Sequence, residues 1–364
     1  MNAITPTTRR PVKRANAESY LLITLIAFAA SVITTRLFLQ ATGFPQLGNG
    51  VLHIAHALWG GLLLMVSAVL PMILANRWAL ELSAALNGLG IGLFIDEVGK
   101  FITQNNDYFF PPAAPLIYAS FLMLVLVYLY VRRLGNPDPR SALYHATADL
   151  RELADNNLDQ QELFLLLQRL DAAKLSNQPH TVGLAVAIEA YLRGSDIPLV
   201  PVRPALSKRI STWLQDLGER TGRPRLRLVI LTGMFAMGFD VLFSLGYLAY
   251  VAVSPSTTFQ GFLSIFLSRV GLLGTTIEFW QMLRLGLEIL IGFLMLVSAI
   301  FIFRGKEDNG MNIGVVALLL SLTGLLLLSF YLDQFGAIRT ALVQFVFLMV
   351  MIAYRRWFLK RAEI

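Results

Sequence analysis

A chain of 364 residues that is 56% hydrophobic and only 15% charged, with a mean hydropathy of +0.62, is too apolar for a soluble domain, whose charged fraction sits near about a quarter. It contains no cysteine, which excludes disulfides, iron–sulfur clusters, thiolate zinc sites and thiol nucleophiles. The formal charge of +7 gathers in the N-terminal tail, the central polar region and the C-terminus, beside apolar runs; that is the distribution of membrane topology, and no nucleic-acid partner is expected.

Residues 1–18 form a basic tail in which Thr8, Arg9, Arg10 and Lys13 loosely resemble a twin-arginine signal. The apolar run that follows is long enough to span and has no small-residue cleavage site, so the reading is an uncleaved first helix. A bilayer core of about 30 Å takes about 20 apolar residues as a helix. By that length eight spans are predicted, over 19–42, 51–75, 79–103, 114–133, 227–253, 278–303, 311–333 and 336–357. The fold class is therefore an all-α polytopic membrane protein with two four-helix units, 19–133 and 227–357, separated by a helical insertion at 134–226 and closed by a basic tail at 358–364.

Lys and Arg set the orientation. Arg9, Arg10, Lys13 and Arg14 precede span one, Arg77 sits between spans two and three, and Arg132 and Arg133 follow span four. Arg304 and Lys306 separate spans six and seven, and the chain closes on Arg355, Arg356, Lys360 and Arg361. Both termini and the insertion are expected in the cytoplasm, most simply at a bacterial inner membrane. Within the insertion, Asp159 and Glu162 make a capping-box start for one helix, and Gly194 with Pro198 ends another. Leu206, Ile210, Trp213, Leu214 and Leu217 share one face of an amphipathic segment suited either to the inner headgroup surface or to packing on its own domain. The run within 255–276 is apolar but too short to span, and reads as an interfacial or re-entrant helix.

Two stretches recur in order. GLLLMVSAVL from Gly61 is matched by GFLMLVSAIF from Gly292, and FIDEVGKFIT, Phe94 to Thr103, by YLDQFGAIRT, Tyr331 to Thr340. This reads as a parallel four-plus-four duplication about an axis along the membrane normal.

Rise per residue is about 1.5 Å, so sequence position gives depth. His53 and His56 of span two, Asp96, Glu97 and Lys100 of span three, Arg284 and Glu288 of span six, Asp333 beside span seven and Arg36 of span one all fall toward the outer side, with Asp240 alone near mid-bilayer. Charges facing lipid cost several kcal/mol, so these groups are expected to face one another or water in one outward-facing cavity. Gly88, Gly92, Asp96, Gly99 and Thr103 share a stripe of span three, which lets a neighbouring helix approach and turns Asp96 into protein. The segments HIAHALWGG, GLFIDEVGKF and NDYFFPP, within spans two to four, resemble a group of bacterial multi-span membrane proteins. That resemblance implies membrane residence and names no reaction.

Three functions remain open at this level. Carboxylates and histidines able to carry protons, together with parallel repeats, favour a proton- or ion-coupled transporter of a small solute. Alternatively, His53 and His56, one turn apart, ligate zinc with Asp96 or Glu97, and a metal-dependent or acid–base enzyme built on Asp96, Glu97 and Lys100 acts on a lipid or lipid-linked substrate. The third reading is a non-catalytic receptor or assembly factor. Asp96 and Lys100 at i, i+4 also admit a plain mutual neutralisation.

Overall fold

The computed structural model describes residues 11–43, 55–133, 138–195, 197–201, 220–253 and 279–359; for 240–253 and 279–282 it describes the backbone alone. Among these residues the protein is all-helical, with one isolated bridge between Asp159 and Val200 and no strand. The helices are α1 (Ala17–Thr42), α2 (His56–Ile73), α3 (Arg77–Asp96), α4 (Val98–Ile102), α5 (Ala113–Arg133), α6 (Pro139–Ala154), α7 (Gln160–Lys174), α8 (Pro179–Gly194), α9 (Arg223–Val253), α10 (Phe279–Phe303), α11 (Glu307–Leu320), α12 (Leu326–Leu332) and α13 (Gln334–Tyr354). Among the described residues, seven segments are long and apolar enough to cross a membrane: α1, α2, α3, α5, residues 283–303 of α10, α11 to α12, and α13 with its continuation. The remaining expected span, the fifth, 227–253, corresponds to α9, a helix of 31 residues. Large apolar side chains stand exposed along these helices, among them Trp59, Met72, Ile73 and Leu126, as lipid-facing residues do. The chain is an integral, multi-pass helical membrane protein.

Packing divides it into two compact units, residues 1–97 with 120–204, and 98–119 with 205–364. In the first unit, α3 lies between α1 and α2. Lipid tails are as apolar as leucine, so helices associate through close packing and polar contacts rather than through the hydrophobic effect. Glycines allow that closeness here. A Cβ on Gly92 would stand 2.6 Å from the Ser31 Cβ of α1, and one on Gly60 would stand 2.6 Å from the Phe94 nitrogen of α3. Hydroxyls then tie helix to helix: Thr24 Oγ1 donates to the Ala84 carbonyl at 3.0 Å, Ser31 Oγ to Leu89 at 3.1 Å, and Ser83 Oγ to Ser67 at 2.6 Å. Partner numbers rise together for α1 and α3 and oppose for α2 and α3, so α1 runs parallel to α3 and antiparallel to α2.

Helices α6 to α8 form a small bundle around Ala142, Ala146, Leu166, Leu170, Ala173 and Ala185. The expected capping box is present: Glu162 N donates to Asp159 Oδ1 at 2.8 Å while Glu162 Oε2 accepts from Asp159 N at 3.3 Å. The bundle docks on the turn between α2 and α3. Arg77 Nη1 donates to Glu162 Oε1 at 2.7 Å, Asn76 Nδ2 to Asp155 Oδ2 at 2.8 Å, and Arg151 Nη1 to the Ala75 carbonyl at 3.1 Å.

In the second unit α10 packs between α9 and α11. Buried Glu307, at the start of α11, gathers Arg223 Nη2 at 3.0 Å, Arg227 Nε at 3.3 Å and the Tyr354 hydroxyl at 2.9 Å, joining α9, α11 and α13. Between α11 and α12 the helix widens into one π-turn, Ser321–Leu325. The Leu322 carbonyl within it accepts the Tyr118 hydroxyl, and Ser321 Oγ donates to Gln344 Oε1 at 2.8 Å.

The predicted amphipathic segment at 206–217 and the predicted interfacial run at 255–276 lie outside the described residues. Span three is not the continuous helix expected over 79–103. It ends at Asp96, Glu97 forms the turn with φ −91 and ψ 9, and α4 resumes at Val98.

Candidate functional site

The site is built where α1, α2 and α3 meet, at the end of the first unit opposite the α2–α3 turn. Glycines of α3 draw α1 close enough for Arg36 to reach across: its Nε lies 2.6 Å from Asp96 Oδ1. Asp96 is 0% exposed and Arg36 3%. A charge is that deeply buried in a membrane helix only when it is paired.

Glu97, 1% exposed, owes its position to the break in span three. Leaving the helix there turns its carboxylate toward the first turn of α2, where Oε2 accepts the Ala57 N–H at 3.1 Å. The first turn of a helix has unsatisfied N–H groups and a positive dipole end, which favours a carboxylate. Glu97 thus caps a neighbouring helix in space.

His56, first residue of α2, lies between the two acids. Its Nε2 is 3.2 Å from Asp96 Oδ2 and its Nδ1 is 3.4 Å from Glu97 Oε1. A neutral imidazole carries one N–H and can donate to only one of these acids; an imidazolium carries two donors and can serve both. At 22% the ring is also the most exposed of the four side chains, although its Nε2, which faces Asp96, is itself buried. Counting these side chains alone, a neutral His56 leaves the quartet at one negative charge, and a proton on His56 brings it to zero.

The other predicted positions belong to the second unit or lie outside the described residues. Lys100 lies in the second unit with its ammonium 5.4 Å from the centre of the Tyr108 ring. The Asp96 ion pair seen is with Arg36 of α1, made across the helix interface; because α3 stops at Asp96, Asp96 and Lys100 do not share a continuous helix. Arg284 Nε and Glu288 Oε1 pair at 2.9 Å within α10. Asp333 is exposed and caps α13, its Oδ1 accepting the Gly336 N–H at 2.9 Å. The backbone at Asp240 belongs to α9, and its side chain lies outside the described residues, as does all of His53. Among the described residues no group of three or more His, Asp or Glu could hold a metal ion.

Sequence reasoning missed the Ala57 N–H as a partner, because a backbone donor leaves no compositional mark. It also missed Thr24 and Ser31, although their seven-residue spacing puts them on one face of α1. Comparisons with protein families, with curated proteins and with solved structures return no match.

Proposed function

We propose that this protein is a proton-coupled secondary transporter of a small solute, with His56, Asp96 and Glu97 as its proton-carrying group. One observation carries the reading: a partly exposed imidazole presents its two nitrogens to two buried carboxylates at the end of a neighbouring helix. In that position a proton arriving on His56 changes the charge of an otherwise water-excluded cluster by one full unit. In a medium of low dielectric a change of one unit is a strong electrostatic lever on helix packing. Arg36 pairs with Asp96 and the Ala57 N–H of the α2 N-terminus with Glu97, so each carboxylate already has a partner besides His56.

Orientation follows the positive-inside rule. Lys13, Arg14 and Arg77 lie at the opposite end of α1 and α3 from the quartet, which favours a site opening away from the cytoplasm and a cytoplasmic bundle α6–α8. The two halves are read as a parallel duplication. In support, a helix ends at the aspartate of both matched stretches, FIDEVGKFIT and YLDQFGAIRT: α3 ends at Asp96, and α12 ends just before Asp333, which lies between two spans. The polar roles then diverge, since Asp96 is buried in an ion pair and Asp333 caps the next helix at the surface.

The test is proton flux in proteoliposomes holding a pH-sensitive dye, under a potassium–valinomycin potential, with a panel of amino acids, organic acids and sugars outside. Wild-type protein should acidify the lumen with at least one panel member, and His56→Ala and Glu97→Gln should lower that flux about tenfold or more. Wild-type flux equal to protein-free liposomes across the panel, or full flux in both variants, refutes the proposal.

A further inference from the structure

Away from the quartet, a cavity of about 630 Å³ opens between the residues leading into α1, the first turn of α3 and the exposed side of α6. That volume lies within the range of small-ligand sites. Five cations line it, Lys13, Arg14, Arg77, Arg140 and Arg151, against two carboxylates, Asp149 and Glu152, leaving a surplus of three positive charges.

Both carboxylates are engaged inside the protein. Asp149 is paired with Arg169, and Glu152 Oε2 accepts Asn157 Nδ2 at 2.9 Å. Among the cations, Lys13 Nζ lies 3.2 Å from Glu18 and Arg77 serves Glu162. Arg14 and Arg151 have no carboxylate at ion-pair distance among the described residues. Arg151 is steadied by its bond to the Ala75 carbonyl, and the Arg140 guanidinium lies 5.3 Å from the centre of the Tyr144 ring. The basic stretch is itself pinned to α6, with the Lys13 carbonyl 2.8 Å from His145 Nε2.

Location narrows the ligand. Arg14 precedes the start of α1 by three residues and Arg77 begins α3, so the cavity sits at the level where two apolar helices leave the hydrocarbon. Fixed guanidinium groups at that level match phosphate oxygens in charge and in bidentate geometry. A concave surplus of like charge is also unfavourable by itself, and a bound anion relieves it.

We infer that this cavity binds a phosphate group, supplied by the headgroup of an anionic phospholipid or by a soluble phosphate. The full-length protein in detergent is examined by native mass spectrometry with phosphatidylglycerol or phosphatidylcholine, and by thermal unfolding in inorganic phosphate against chloride at equal ionic strength. Wild-type protein should retain phosphatidylglycerol about tenfold more strongly than phosphatidylcholine, the gain expected from a charge-assisted hydrogen bond. Arg14→Gln with Arg151→Gln should remove that preference, whereas Arg132→Gln with Arg133→Gln, an exposed pair closing α5, should leave it within about twofold. Both altered arginine pairs are exposed, and Arg14→Lys with Arg151→Lys should restore most of the retention if charge is what binds. Stabilisation by inorganic phosphate that competes with the lipid assigns a soluble source; retention of lipid without it assigns the headgroup, and either result supports the site. Equal loss in the two Gln pairs, or no anion preference in wild type by either method, overturns it.

Discussion

Removing Arg36 tests the packing of the first unit and the wiring of its site together. The guanidinium and the Asp96 carboxylate are 2.6 Å apart, with exposures of 3% and 0%. At an effective dielectric of about 20, Coulomb attraction at that distance is about 6 kcal/mol, and desolvating two ions consumes much of it. The net value of the intact pair is therefore small. Breaking it is expensive because the survivor stays buried, at about 3–5 kcal/mol for loss of one partner of a buried pair. His56 Nε2, 3.2 Å from Asp96, can offset part of that for Arg36→Leu, and less for Asp96→Leu, which strands Arg36. Reversible unfolding in mixed micelles of mild detergent and dodecyl sulfate should show each single variant destabilised by about 3 kcal/mol. The double variant Arg36→Leu/Asp96→Leu should lie within about 1.5 kcal/mol of wild type, a coupling of several kcal/mol. Single losses below about 1 kcal/mol, or costs that simply add in the double variant, would show that the pair is not the buried clasp described here.

Gly60→Ala and Gly92→Ala should each cost about 1–3 kcal/mol in the same assay, because the added methyl meets Phe94 or Ser31 at 2.6 Å, whereas Gly61→Ala meets nothing within 4 Å and should be neutral or slightly stabilising. Glu307→Gln should lower stability by about 2–3 kcal/mol by leaving Arg223 and Arg227 facing one another without their shared anion, and Tyr354→Phe by about 1 kcal/mol. In the α6–α8 bundle, hydrogen bonds from Lys174 and then Arg193 hold the Glu189 carboxyl below its ordinary value of 4.5. Its folded pKa is depressed, so its contribution is full above that ordinary value and fades as pH falls through the lowered one. Amide hydrogen-exchange protection of α7 and α8 in the full chain should therefore differ between wild type and Glu189→Gln at neutral pH and converge in acid; a difference that persists in acid would contradict the assignment.

The spans were legible because a bilayer demands about 20 apolar residues in a row, and the Gly88, Gly92 and Asp96 stripe was legible because small residues at helical spacing mark an interface. Counting residues places Arg36, His56, Asp96 and Glu97 at similar depth, and the structure brings these four together. Their pairing was not legible: a regular helix through 79–103 puts Lys100 one turn from Asp96, and the turn at Glu97 that interrupts it has no proline to announce it. Docking of α6–α8 was hidden for another reason. Arg77 reads from sequence as a topology signal, and its bond to Glu162 spans 85 positions, which no local pattern records. His53, Asp240 and the 255–276 run stay at the level of expectation, outside the described side chains.

The π-turn at Ser321–Leu325 amounts to one surplus residue slipped into an otherwise regular coil. Each residue advances an α-helix by about 100°, so a one-residue deletion at most points in this span would rotate everything beyond it and carry the Phe330 ring away from Tyr118, whose ring centre now lies 4.7 Å from it. Removing Thr323 instead would take out the surplus alone, returning the coil to ordinary pitch with both flanks still facing their present neighbours. Span seven thus has one place where it can be shortened without losing its phase, and the cost there falls on the Tyr118 hydroxyl, which would lose the carbonyl it now holds.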